Sequence, residues 1–148
     1  LEVLMETIRL TTAEAIVRYL IAQKSAMLDG VAFGRDNAVE PLFPGVFAIF
    51  GHGNVTCLGH ALEQHQDDLP TWRGQNEQGM ALAATAYAKT VRRRQIMVAT
   101  SSVGPGATNT ATAAGVAHSN RILLLLIAVV CPIPYCSRLS ILASRPRR

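Results

Sequence analysis

From residue 7 to residue 130, stretches with helical apolar spacing alternate with unbroken apolar runs. Thr11 followed by Glu14 forms a capping box, and Ala13, Ile16, Val17, Leu20 and Ile21 recur behind it at helical spacing, which predicts an amphipathic first helix. Residues 25–45 have no period and carry turn signals at Asp29-Gly30, Gly34, Pro41 and Pro44-Gly45, so they read as a loop. The run Val46-Phe47-Ala48-Ile49-Phe50 lacks alternation and predicts a buried strand. It breaks at Gly51-His52-Gly53-Asn54. A helix is expected over 55–64, then a break at Asp67-Asp68-Leu69-Pro70 and a short strand over 71–75.

Asn76 is a good helix-capping residue and opens an alanine-rich helix reaching about Val91, with Met80, Ala84, Tyr87 and Val91 on one stripe. Residues 95–101 form a second apolar run, broken by Gly104-Pro105-Gly106 and followed by an alanine- and threonine-rich helix to His118; residues 122–130 form a third. Non-alternating strands separated by helices are the signature of βαβ units. The fold class is therefore α/β, doubly wound, with a mostly parallel sheet and helices on both faces. From Cys131 onward neither period survives and prolines intrude at 132 and 134. The expectation is one folded domain over 1–130 and a basic, disordered tail over 131–148.

Composition agrees with a single globular domain: 148 residues, 49% hydrophobic and 16% charged. The net charge of +4 points toward nucleic acid only until it is located. Four of the 14 basic residues (Arg138, Arg145, Arg147 and Arg148) follow residue 130, which leaves ten basic against ten acidic groups in the rest of the chain. A neutral body with 5% aromatics predicts no nucleic-acid partner. Arg92-Arg93-Arg94 reads as a solvated helix end beside the negative pole of a dipole. Cys57, Cys131 and Cys136 form neither a disulfide framework nor a paired metal spacing, which fits inert thiols in a cytoplasmic protein. The longest apolar run, residues 122–131, is about half a membrane span, so no membrane partner or targeting segment is expected.

In an open parallel sheet, ligands bind beyond the carboxyl ends of the strands. Two glycine turns occupy that place here. Gly51, His52, Gly53 and Asn54 follow the first strand; Gly104, Pro105, Gly106, Ala107, Thr108 and Asn109 follow the second and open a helix. Neither completes a dinucleotide fingerprint, because Thr56 and Asn109 stand where a third glycine belongs, and a P-loop lysine and a nucleophile-elbow serine are absent. Glu77, just after Asn76 in an otherwise acid-free helix, is the acid to single out. An acid in a first helical turn is also favoured by the macrodipole, by about 0.3–1 kcal/mol, so position alone leaves a structural and a functional reading open. His52 is open in the same way, between a ligand contact and a structural histidine; His60, His65 and His118 read as structural or surface groups.

The order of these motifs resembles thiamine-diphosphate enzymes of the acetohydroxyacid-synthase type, in their N-terminal pyrimidine-binding domain. The counterparts are Val46 to Asn54, Asn76-Glu77-Gln78-Gly79-Met80, and Thr100-Ser101-Ser102-Val103-Gly104-Pro105-Gly106-Ala107-Thr108-Asn109. Thr7-Ile8-Arg9-Leu10-Thr11-Thr12, Phe47 to Val55 and Asn76-Glu77-Gln78 look most like the trihydroxycyclohexane-1,2-dione hydrolases of inositol catabolism.

The resemblance implies thiamine diphosphate as cofactor and a cyclic dione as substrate, opened by adding water across a carbon–carbon bond. It implies that the Glu77 carboxyl hydrogen-bonds a ring nitrogen of the aminopyrimidine and favours the imino tautomer that takes the thiazolium C2 proton. Gly51, His52, Gly53, Asn54, Gly104, Pro105, Gly106 and Asn109 would line the cofactor. It also implies homo-oligomers for the full-length family.

The chain departs from that family in lacking a Gly-Asp-Gly magnesium motif, so Mg2+ is expected only with a diphosphate-binding domain that these residues do not include. Its third strand ends in Ala128-Val129-Val130-Cys131 rather than the family's Pro-Gly-Asp, and Met5-Glu6-Thr7-Ile8-Arg9 resembles the family's usual start. The expectation is a frame interrupted near residue 128 and a fragment nearly inactive by itself. The alternatives are a carboligase fragment of the acetohydroxyacid-synthase type and a non-catalytic oligomerisation module.

Overall fold

A computed structural model describes residues 7–26, 39–130 and 138–143, the last six by their backbone. Helix α1 (Thr12–Ala22) starts at the predicted capping box. The Thr11 backbone N–H donates to Glu14 Oε2 (3.0 Å) and the Glu14 N–H donates to Thr11 Oγ1 (3.2 Å). The backbone bond from Thr11 is the largest influence and holds the Glu14 carboxyl below its ordinary pKa, against an opposing effect of desolvation. Val17 and Leu20 are buried, with Ala13, Ile16 and Ile21 packed beside them.

The stretch expected to be a loop contains two three-residue strands, β1 (Lys24–Ala26) and β2 (Val39–Pro41), paired antiparallel. Strands this short leave no readable period.

Next come β3 (Val46–Ala48), a π-helical segment Val55–Gly59 running into α2 (His60–Gln64), β4 (Thr71–Trp72) and α3 (Glu77–Thr90). They are followed by β5 (Val98–Ser101), α4 (Pro105–Asn109), α5 (Ala111–Ser119), β6 (Leu125–Val130) and β7 (Arg138–Ala143). The helix expected to run unbroken to His118 is interrupted at Thr110, whose hydroxyl donates to the Ala107 carbonyl (2.7 Å). Such a local bond competes with the regular helical ladder.

The main sheet has the order β4-β3-β5-β6-β7, and the first four strands are parallel. Strand alternation divides the apolar runs between two faces. Val46, Ala48, Val98 and Ile127 pack with Val17 and Leu20 of α1, Leu58, and Ala61 and Leu62 of α2. Met97, Ala99, Leu124 and Leu126 pack with Ala81 and Ala84 of α3 and Ala113 and Ala117 of α5. Helices cover both faces, as the doubly wound reading requires.

The buried side of α3 is Met80, Ala81, Ala84, Thr85 and Ala88, rotated from the expected stripe. Tyr87 sits at its rim, where its hydroxyl donates to Gln95 Oε1 (2.8 Å) while Gln95 Nε2 donates to the Pro41 carbonyl (3.0 Å). Alanine side chains weigh little in a periodicity, yet they are what lets α3 approach the sheet closely.

Arg92, Arg93 and Arg94 are exposed at the C-terminal end of α3, as expected. Arg93 does more than stay solvated: its guanidinium donates to the Arg121 and Asn120 carbonyls beyond α5 (3.2 and 3.4 Å).

The sequence sets residues 131–148 apart, but their described part pairs with the domain. β7 runs antiparallel to β6, from Leu125 opposite Ala143 to Val130 opposite Arg138. The outer edge of β6 offers a row of backbone donors and acceptors, and a segment needs no strong side-chain pattern to pair with it. The disorder expected for 131–137 and 144–148 lies outside the described residues. Among the described residues no helix is long and apolar enough to cross a membrane.

Candidate functional site

β3 and β5 are neighbours, but the chain leaves β3 toward β4 on one side and leaves β5 toward β6 on the other. The two connections therefore run to opposite sides, which makes this edge the topological switch point, the crevice at which doubly wound sheets bind ligands. Both glycine turns lie at this point.

The turn after β3 is fixed by Asn54, a buried side chain with 3% exposure. Its Oδ1 accepts from the Gly51 N–H (2.7 Å), and its Nδ2 donates to the Ser101 carbonyl at the end of β5 (3.1 Å). One amide thus ties the two turns together. Gly51 completes the contact, because a Cβ at that position would come 2.9 Å from the Cβ of Ser102.

Glu77 is the first residue of α3. Asn76 caps the helix, its Oδ1 accepting from the Gly79 N–H (2.7 Å). The Glu77 carboxylate points back to the turn after β5, where Ser102 Oγ donates to Oε1 (3.1 Å). Gly106 is buried behind this pair, and a Cβ there would overlap both Ser102 Oγ and Glu77 Oε1. Gly104 contributes through its backbone instead. Its φ of +68° is a conformation that L side chains rarely adopt, and it turns the chain into α4, with Pro105 as the first helical residue.

The site residues expected from sequence therefore separate into groups. Gly51, Glu77 and Gly106 converge around Ser102, Asn54 ties Gly51 to the adjoining Ser101, and Gly104 and Pro105 shape the turn. His52 and Gly53 are exposed at the rim, and Asn109 closes α4 without a side-chain bond to Glu77 or Ser102. Ser102 is the residue that sequence reasoning passed over. Its signal was its place, the first residue beyond β5 in a Thr-Ser-Ser run at the strand's carboxyl end.

A cavity of about 520 Å3 opens elsewhere, walled by Phe50, Val55, His60, Leu62, Glu63 and Thr71 among others. It shares no residue with the Glu77 cluster. The crevice at the strand ends, which holds the carboxylate and the glycine cradle, is the better candidate for chemistry.

Residues 44–142 match the family described as thiamine pyrophosphate enzyme, N-terminal TPP binding domain. That span includes all five strands of the main sheet, the last to within one residue of its end. Curated relatives share about half their residues with this chain over most of its length. A 3D-(3,5/4)-trihydroxycyclohexane-1,2-dione hydrolase from Geobacillus thermodenitrificans is 51% identical over 123 residues, covering 83% of this chain and 18% of the relative. The same-named proteins of Shouchella clausii and Bacillus thuringiensis are 49% and 48% identical, covering 82% and 83% of this chain and 18% of each relative. The chain thus spans about a fifth of the length of these relatives. With this match and the parallel sheet it spans, the chain belongs to the thiamine pyrophosphate enzymes, as their N-terminal TPP-binding domain.

Proposed function

We propose that this chain forms the aminopyrimidine side of a thiamine-diphosphate site in a hydrolase that opens trihydroxycyclohexane-1,2-dione during inositol catabolism, with Glu77 as its proton-relay acid. The observation that carries the reading is the Glu77 carboxylate at the switch point, with Oε1 held by Ser102 in the room that the missing side chain of Gly106 leaves for both.

The residues present fit the group. A half-buried carboxylate offers one free oxygen to a ring nitrogen, Gly104 has open space beside its backbone, and Gly51 and Gly106 let Ser102 and Glu77 pack tightly at the same edge. Once bound, the cofactor supplies an acidic carbon–hydrogen bond and an electron sink. Glu77 holds or releases a proton at its free oxygen, Oε2. Asn54 keeps the two turns in register, and the exposed rim at His52 and Gly53 faces the incoming substrate or cofactor. Water then adds across a ring carbon–carbon bond of the dione, one carbon gaining OH to become a carboxylic acid and the other gaining H.

The whole-protein setting is part of the same proposal. Magnesium enters with the diphosphate-binding portion of the enzyme, the working form is a homo-oligomer, and the compartment is the cytoplasm. Partners are the cofactor and the cyclic dione rather than nucleic acid or a membrane.

A chimera tests this. The matched residues of this chain replace their 123 counterparts in the Geobacillus relative, and thiamine-diphosphate-dependent opening of the dione is assayed. Glu77→Gln is expected to lower kcat by about 10²- to 10⁴-fold, the usual contribution of a positioned acid or base. An unchanged kcat would overturn the assignment of Glu77, and a chimera that joins ketoacids while leaving the dione intact would overturn the substrate.

A further inference from the structure

We propose that Ser102 is a positioning residue that gives the two carboxylate oxygens of Glu77 separate roles, Oε1 as a fixed anchor and Oε2 as the proton carrier. The inference rests on the proposed relay role of Glu77 and goes beyond it, since a relay acid does not by itself require a serine.

Three contacts confine Ser102. Its Cβ lies where a side chain on Gly51 would begin, at 2.9 Å from that residue's hypothetical Cβ. Its Oγ lies against the Cα of Gly106 so closely that a methyl group there would overlap it. Its single hydroxyl proton is directed to Glu77 Oε1 at 3.1 Å. Among the described residues this is the one hydrogen bond made by the Glu77 carboxyl.

The consequence follows from donor and acceptor counting. A serine hydroxyl has one proton to give, and an ionised carboxylate only accepts. With Oε1 occupied, a proton taken up by Glu77 resides on Oε2. Because Oε1 remains an acceptor in both protonation states, Ser102 keeps its bond throughout and the carboxyl need not rotate between uptake and release. Gly106 leaves the room, which a Cβ would fill, for the Ser102 hydroxyl and the Glu77 carboxyl to meet. The flexible glutamate thus becomes a group with one active oxygen and one orientation, the pre-organisation that a proton transfer requires.

The test uses the thiamine-diphosphate-loaded chimera and reads hydrogen–deuterium exchange at the thiazolium C2, with cofactor affinity measured by calorimetry. Ser102→Ala is expected to slow exchange about 10- to 100-fold, the range for a lost bond to a charged group, while the cofactor Kd moves less than about 2-fold. Ser102→Cys, which keeps a weak donor, is expected to fall between the two. Exchange in Ser102→Ala equal to that of the parent would overturn the proposal. So would a loss of cofactor affinity or of folding that matches the loss of exchange, since it would mark a purely structural serine. Glu77→Gln run in parallel separates the two readings: if it leaves exchange intact, the relay role of Glu77 fails; if it abolishes exchange while Ser102→Ala does not, only the Ser102 proposal fails.

Discussion

Ser102 Oγ donates to Glu77 Oε1 across 3.1 Å, joining the turn after β5 to the first residue of α3 over 25 positions of sequence. The bond exists because β5 and α3 meet at the carboxyl edge of the sheet and because Gly106 leaves its hydrogen, rather than a side chain, against both partners. Gly106→Ala and Gly104→Ala therefore separate two kinds of glycine. Gly106→Ala forces Ser102 and Glu77 apart and is expected to lower stability by about 1–3 kcal/mol, the range for overpacking, and to reduce C2 exchange with it. Gly104→Ala meets open space and costs only its backbone conformation, about 1–3 kcal/mol of stability. Denaturant melts with exchange rates on both variants check this, and equal exchange losses would contradict it.

Asn54→Ala breaks both bonds that tie the turns together. It leaves the half-buried Gly51 N–H and the buried Ser101 carbonyl without this partner, at about 1–3 kcal/mol for each group. The expected outcome is a total loss of about 2–6 kcal/mol in urea unfolding. A loss under about 0.5 kcal/mol would show that the amide is dispensable.

Ala84 has no exposed surface and lies among Ala81, Ala113 and Ala117 between α3 and α5. Ala84→Leu inserts three carbons where the helix already touches its neighbours. The expected cost is about 1–3 kcal/mol, seen as a lower denaturation midpoint with an unchanged m-value.

Two groups set pH limits. Burial, with a smaller contribution from the charge of Glu40, raises the Tyr87 hydroxyl above its ordinary value of 10.0. The neutral phenol is thus favoured in the fold, and its stabilisation is complete below that value and lost as pH rises through the raised one. Tyrosinate absorbance is expected to show one tyrosine titrating late, and Tyr87→Phe to remove it. Glu14 is lowered, first by the Thr11 backbone bond, so its contribution is present above the ordinary carboxyl value and lost as pH falls through the lowered one. Glu14→Gln should flatten that part of the acid limb in a pH series of melts.

Much of the architecture was legible in the chain. Thr11 and Glu14 lie three residues apart, so their capping box is local. The same is true of Asn76 capping at Gly79, and the apolar runs that became β3, β5 and β6 needed only their neighbours' identity to be read. Glu77 and the glycine turns were visible as motifs for the same reason. The strands β1 and β2 were not visible, because three residues hold too little pattern. Neither was β7, because it exists through backbone pairing with β6 rather than through its own periodicity.

By itself the sequence determined the types of the longer elements, the family and the carboxylate, since each depends on residues close together in the chain. Tertiary structure decided which turns share an edge. It placed Asn54 on Ser101 across 47 positions and Ser102 on Glu77 across 25, and those placements depend on strand order and on the side to which each crossover returns. Side-chain spacing carries no record of strand order, so the partner of Glu77 emerged only when the sheet was assembled.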